Sequence, residues 1–489
     1  MAVIRDRAPL GARTRCDPDF PPHSRFPGLV RSGLDLLIVT YVAALGVLAM
    51  TGGIDLGIVT LHEAAKPLFV LLVVVPIRIA LGGGSWLRHL MQRPIAYGLS
   101  SWRLASARIP PAVADSLFAV VTVVIATVSA AFLASIVLEP ARPPGFTLPF
   151  SNAHFIGIFA AWDSGWYWDI AMRGYYFRPD AQSSIAFFPL YPMLMHAAAA
   201  PFGGGAKATW IAGIVVGLSA YLLALVAVHR FTERIFGSRE VARRTVLYLA
   251  VFPWSLFMAR VYAESVFLLA SVLAVSRAYD GRWRQAGVWG ALATLARPNG
   301  ILIACPLVLL AIRDRPRPGE FARRCIVLAP IPAALAGYSA YVYSLTGDPL
   351  GWMSAQAHWG YSIAHPPWRH FVGLISGLLE HGPYRFFFTS DIVAYEMLHA
   401  VPALLFLTLT PLIVQRLGLA MGAYVLASLL VPLSGSTLEG LGRYASVLFP
   451  AFMLVGSMTS QRMHEAILIV SLAFQTLLAC LFVTWHPIY

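Results

Sequence analysis

The residues of this sequence best equipped for chemistry stand in one short stretch, Trp162-Asp163-Ser164-Gly165-Trp166-Tyr167-Trp168-Asp169, followed by Ala186-Phe187-Phe188-Pro189-Leu190-Tyr191-Pro192. Two carboxylates among indole and phenol rings are costly to keep unless they are hydrogen-bonded or put to use. The use open to such a group is to accept a proton from a hydroxyl. Asp163 and Asp169 are six positions apart and would face different sides of a helix. Asp169 has Arg173 four residues on, so its ordinary reading is one half of a surface ion pair. Asp163 has no basic residue three or four positions away, which makes it the better base candidate.

Further polar residues punctuate otherwise apolar sequence: Arg260 and Glu264, Arg297 and Asn299, Gln356 with His358 and Trp359, and Glu439 and Arg443. A planar guanidinium matches a phosphate oxygen pair, so Arg260, Arg297 and Arg443, with Glu264 and Asn299 beside them, are candidates for holding a lipid phosphate. A base together with cations that stabilise a departing phosphate is the minimum set for moving a glycosyl group off such a lipid. Plainer readings stand beside these. Arg260 and Glu264 have the spacing of a helical pair. Trp162, Trp166 and Tyr167 have the composition of an interfacial aromatic belt, as well as that of a sugar-stacking surface. His358, His365, His370 and His381 have no usual metal-ligand spacing, and no metal or cofactor is expected.

The rest of the chain must position these groups. Of 489 residues, 58% are hydrophobic and only 12% charged, about half the charged share of soluble domains. Apolar residues come in runs of bilayer length, so the fold class is an all-α, multi-pass transmembrane protein. The net charge of +13 comes almost wholly from Arg, Lys66 and Lys207 being the only lysines. These Arg sit in short loops, as a topology signal does, and nucleic acid is not expected as a partner. Cys16, Cys305, Cys325 and Cys480 are scattered without metal or disulfide spacing.

Arg5, Arg7, Arg13, Arg15, Arg25 and Arg31 place the N-terminal tail in the cytoplasm, ahead of spans at about 34–51 and 66–82. Arg88, Arg93, Arg103 and Arg108 mark an inside loop, and a span at about 113–138 then carries the Asp163 stretch outside. Inside loops recur at Arg230–Arg244, Arg277–Arg284 and Arg313–Arg324. The intervening 246–279 and 285–312 each read as two short helices, with turns at Arg260–Glu264 and at Arg297-Pro298-Asn299-Gly300. Residues 186–201, interrupted by Pro189, Pro192 and Pro201, read as a dip into the outer leaflet. Spans at about 325–345, 397–413, 417–433, 444–460 and 464–485 bring the count to about 13. The outer loops are then 139–208 and 346–396, and the polar residues above collect in an outer-face cavity.

The chain resembles the PIG-V-type mannosyltransferases, integral membrane enzymes of the GT-C class. Besides the two stretches already quoted, the resemblance rests on Val261-Tyr262-Ala263-Glu264-Ser265-Val266-Phe267, Thr294-Leu295-Ala296-Arg297-Pro298-Asn299-Gly300, Gly347-Asp348-Pro349-Leu350 with Ala355-Gln356-Ala357-His358-Trp359, and Arg443-Tyr444 before Leu448-Phe449-Pro450. Several motifs in order are more specific than any one of them. The resemblance implies a GT-C-like fold and a catalytic Asp at Asp163. It also implies a polyprenyl-phosphate-linked hexose donor, mannose in this family, and a lipid or glycan acceptor at the outer face of the cytoplasmic (inner) membrane. The chain departs from the family pattern in two extra spans before residue 112, so residues 1–112 are expected to form an added tail and helix pair and 113–489 the catalytic module. Two rivals remain at this level. One is a lipid or glycan transporter, which would favour repeated halves and midplane charges. The other is an outer-face ligase using diphosphate-linked donors.

Overall fold

A computed structural model describes residues 109–141, 156–361, 365–388 and 391–488, together with Leu34 and the strand pair Ile54–Asp55 and Thr60–Leu61. The spans expected at 34–51 and 66–82 and the Arg-rich loop after them lie outside the described residues. The chain divides into two compact units, residues 1–92 and 93–489. In the first, β1 (Ile54–Asp55) and β2 (Thr60–Leu61) pair antiparallel, a small departure from an all-α chain. The regular elements in the described residues of the second are all helices.

Its helices are α1 (Pro111–Val137), α2 (Ser164–Arg173), α3 (Leu190–Ala199), α4 (Ala206–Phe236), α5 (Arg239–Val251), α6 (Glu264–Tyr279), α7 (Trp283–Ala296) and α8 (Ala304–Arg313). Beyond them come α9 (Pro318–Leu328), α10 (Pro330–Thr346), α11 (Gly351–Ala357), α12 (Arg369–Phe388), α13 (Asp391–Leu417), α14 (Leu419–Leu433), α15 (Leu441–Ser446), α16 (Phe449–Met458) and α17 (Gln461–Val483). Among the described residues, five stretches are long and apolar enough to cross a bilayer: α1, α4, α9 with α10, His399–Leu417 of α13, and α17. A bent pair, the 3-10 turn Pro253–Ala259 with α6, reaches that length and apolarity only when its two parts are taken together. The protein is a multi-pass helical membrane protein. α16 has only ten residues, about 15 Å, and starts after the Val447–Leu448 break that ends α15, so 444–460 is not one continuous helix.

Two helix breaks shape the cavity end, at Arg260–Ala263 and at Arg297-Pro298-Asn299-Gly300. Pro253–Ala259 and α6 meet at 98° across Arg260–Ala263. Backbone groups freed there inside the protein need partners, and the Val261 N–H finds one in the Phe159 carbonyl at 3.0 Å. The helical run 283–313 breaks at Arg297, which is extended (φ −152°, ψ 153°). The chain then doubles so tightly that a Cβ on Gly300 would sit 2.0 Å from the Ala293 carbonyl oxygen. Residues 186–201 form only the ten-residue α3, too short to cross.

The two ends of the helix bundle differ in chemistry. At one end, Asp115 near the start of α1 pairs with Arg239 (3.1 Å) at the start of α5. Arg234, near the end of α4, pairs with Asp280, just past α6. Arg244 reaches the side chain of Gln461 (3.2 Å), the first residue of α17. These are the Arg-rich loops that the sequence places inside. The opposite helix ends, the start of α6 and the end of α17, meet the Asp163 segment instead. In a chain whose four cysteines are first replaced by Ser, a cysteine at exposed Arg178 should react with an impermeant maleimide added to intact cells. Cysteines at exposed Arg282 and Arg317 should react only after permeabilisation. The reverse pattern would invert the sidedness read from the Arg loops.

Candidate active site

Asp163 is the cap residue of α2, immediately after Trp162, whose backbone takes a left-handed conformation (φ 59°). That geometry costs a bulky residue on the order of 1–3 kcal/mol and needs support. The support comes from far along the chain. The Trp162 indole N–H donates to the Phe482 carbonyl at 3.2 Å, and its ring lies 5.2 Å from that of Trp485. The Asp163 N–H donates to the Tyr262 hydroxyl at 3.1 Å.

The Asp163 carboxylate is not the lone acid that its sequence neighbours suggest. Its Oδ2 accepts from Arg443 Nη1 at 2.8 Å, a partner 280 residues away. Arg443 Nε in turn donates to Glu264 Oε1 at 2.7 Å, and Arg297 Nη1 donates to the same oxygen at 2.9 Å. Charges therefore alternate along the line Asp163, Arg443, Glu264, Arg297. Glu264 is wholly buried at the first residue of α6, while both arginines keep a sliver of exposure. Arg443 lies over the rings of Tyr262 (4.8 Å) and Phe257 (4.9 Å), and Arg297 over that of Tyr444 (4.9 Å), contacts that suit a desolvated guanidinium. Beside Arg443 stands Gly442. A Cβ there would come 2.2 Å from the Trp254 indole, so only glycine lets that ring close against the backbone.

These groups face a cavity of about 820 Å³, toward the upper end of the range for small-molecule sites. Its wall holds most of the residues that the sequence singles out: Asp163, Arg297 and Arg443; Trp162, Trp166, Tyr167 and Asp169; and Gln356, His358 and Trp359. Three candidates are not on it. Glu264 stands behind the two arginines it anchors. Arg260 is fully buried over the rings of Phe159 (5.5 Å) and Phe482 (5.7 Å) and does not pair with Glu264, because the break at Arg260–Ala263 removes the helical spacing that such a pair needs. Asn299 is packed into the turn after Arg297. Direct contact between these three and a ligand is therefore not supported. Asp169 does pair with Arg173, at 3.2 Å.

The aromatic residues form a wall as well as a belt. Trp166 stacks on Phe187 (5.8 Å, 12°) and meets Trp359 edge-on at 5.0 Å, all three facing the cavity. Burial pushes the Tyr167 phenol well above its ordinary pKa, with the Glu264 charge adding to the effect, so Tyr167 remains a neutral hydroxyl. Sequence reasoning missed Tyr176, Arg178, Tyr361 and Trp485 on the wall. Nothing in their local sequence marks them. Phe187 and Tyr444 lie inside quoted motifs and were within reach.

An alternating acid–guanidinium line thus opens on an aromatic-walled cavity in a helical membrane protein. Residues 114–312 match the family described as Mannosyltransferase (PIG-V). It is 26% identical over 162 residues to GPI mannosyltransferase 2 of Yarrowia lipolytica, a match covering 33% of this chain. The matched part is 43% of that relative's length. Among solved structures, the chain is similar to the oligosaccharyltransferase AglB of Archaeoglobus fulgidus, in complex with an inhibitory peptide and a dolichol-phosphate. That likeness has a TM-score of 0.41 and 12% identity, covering 76% of this chain and 56% of that one. It is also similar to ArnT of Cupriavidus metallidurans bound to undecaprenyl phosphate, with a TM-score of 0.43 and 17% identity, covering 72% and 62%.

The shared oxygen of Glu264 sets a clear expectation. Glu264→Gln keeps the shape but leaves two buried guanidiniums with one carboxylate between them. Breaking a buried ion pair this way costs about 3–5 kcal/mol. The purified variant should therefore melt well below wild type in detergent, and an unchanged melting temperature would show that the arginines do not depend on Glu264.

Proposed function

We propose that this chain is a membrane mannosyltransferase. It transfers mannose from a polyprenyl-phosphate donor to a hydroxyl of a lipid or glycan acceptor at the outer face of the cytoplasmic membrane, and residues 113–489 form its catalytic module. The observation that carries the reading is the Asp163–Arg443 contact at the cavity wall, with Arg297 one carboxylate further along. The family match over 114–312 supplies the sugar.

The geometry suits an inverting displacement. Arg443 occupies Asp163 Oδ2 and leaves Oδ1 to take the acceptor proton. As the acceptor oxygen bonds to the anomeric carbon, the bond from that carbon to the phosphate oxygen breaks, and the phosphate keeps the electron pair. Attack opposite the leaving group inverts the anomeric centre. Protonating Asp163 removes the negative charge that balanced Arg443 just as the phosphate gains one. The guanidinium is then free to stabilise the product, which is the differential stabilisation that accelerates a reaction. Among the described residues Arg297 donates one N–H to Glu264, which leaves the rest of its fork for phosphate oxygens. The aromatic wall of Trp166, Phe187 and Trp359 offers faces for sugar rings.

Purified protein assayed with radiolabelled polyprenyl-phosphate mannose and membrane lipid extract tests this reading. Asp163→Asn should lower turnover by roughly two to four orders of magnitude, the usual worth of a positioned base. Asp169→Asn should lose far less, since its carboxylate is engaged by Arg173. The opposite order would assign the base wrongly. Arg297→Lys or Arg443→Lys keeps the charge but loses the planar fork, with an expected loss on the order of tenfold to a thousandfold. Wild-type turnover in both lysine variants would remove them from phosphate stabilisation.

A further inference from the structure

We propose that Tyr262 is the positioning residue of this site: it fixes Asp163 and Arg443 relative to each other while touching no substrate. The inference rests on the reading of Asp163 as the base. Tyr262 is wholly buried and absent from the cavity wall, so it cannot bind donor or acceptor directly. Its hydroxyl lies between the two sides of the Trp162 turn. It accepts from the Asp163 N–H at 3.1 Å and donates to the Ala161 carbonyl at 3.1 Å. One oxygen atom thus closes the turn around the residue held at φ 59°. The ring of the same side chain lies 4.8 Å from the Arg443 guanidinium, which bonds Asp163 Oδ2 at 2.8 Å. Three contacts therefore form a closed triangle: hydroxyl to Asp163 backbone, ring to Arg443, and Arg443 to Asp163 carboxylate.

Tyr262 is itself well fixed. Its neighbour Val261 is bonded to the Phe159 carbonyl, and its ring packs against Phe257 at 4.9 Å. It sits in the break before α6, two residues ahead of Glu264, so the element that anchors the arginines also sets the acid. The hydroxyl and the ring have separable jobs. The hydroxyl directs the carboxylate toward the acceptor proton, and a misplacement of about 1 Å in such a group can cost about a hundredfold in rate. The ring supports the guanidinium that meets the donor phosphate.

The test is a double-mutant cycle on the purified full-length protein with the same radiolabelled donor. Tyr262→Phe removes one oxygen and should lower kcat about tenfold to a hundredfold, with the donor KM within about twofold of wild type. Tyr262→Leu, which also removes the ring face, should in addition raise the donor KM. In the Asp163→Asn background, Tyr262→Phe should cost no more than about twofold of the residual rate, because the function it serves is already gone. Wild-type kcat in Tyr262→Phe, or an equal fold loss in both backgrounds, overturns the positioning role while Asp163→Asn remains crippled and the base assignment stands. An Asp163→Asn protein with wild-type turnover overturns both. A melting temperature for Tyr262→Phe close to wild type is expected alongside the kinetic loss. A kcat loss that merely tracks a fall in the folded fraction counts against the inference.

Discussion

Arg443 is the hinge of the arrangement. One guanidinium, nearly out of reach of solvent, bridges two carboxylates from different parts of the chain, Asp163 at the cavity and Glu264 behind it. A buried cation without counter-charges would cost several kcal/mol, and so would either carboxylate without the cation. Each is tolerable because the others are there. Glu264 carries a second guanidinium on the same oxygen, while its Oε2 has no hydrogen-bond partner among the described residues. The network thus concentrates its attraction on one atom and holds both arginines beside the cavity wall. Arg260 shows the contrast. It is a guanidinium of the same neighbourhood, buried against aromatic rings with no carboxylate among the described residues, and it lies off the cavity.

The bilayer explains why such a site sits where helices break. Within lipid, a chain must satisfy its own backbone, so irregular structure is permitted only where protein covers it or where it lines a wet cavity. The breaks at Arg260–Ala263 and at Arg297 meet that condition. The first is stitched to the Phe159 carbonyl, and the second folds back on Ala293 with glycine at the crowded point. Each break delivers a polar side chain to the cavity end of the bundle. The Arg-rich loops are tied together at the other end by ion pairs such as Asp115–Arg239 and Arg234–Asp280.

Much of this was legible in the sequence because membrane proteins write their helix stops plainly. The Pro-Asn-Gly break, the short helix that starts directly after Pro189, and the Asp169–Arg173 pair all follow from local rules and all are present. What local rules could not supply is pairing across distance. Asp163 reads as unpaired because its partner is 280 residues away, and Arg260 reads as the partner of Glu264 because four-residue spacing assumes a helix that is broken there. The span near 444–460 was misjudged for a related reason. Apolar content is continuous through Val447–Leu448, but the helix is not.

The hold of α17 on the Trp162 turn has a consequence for how the protein is made. The chain emerges from the ribosome at about 5–20 residues per second, so the 280 residues between Asp163 and Arg443 separate their appearance by about 14–56 s. Phe482, which anchors the Trp162 indole, comes later still. Throughout that interval the acid-bearing turn lacks both its counter-ion and the α17 clamp, and the Tyr262 hydroxyl, itself 99 residues after Asp163, is the contact available to close it. The site therefore assembles last, when α17 docks, and a nascent or C-terminally shortened chain has the residues of the site without its geometry.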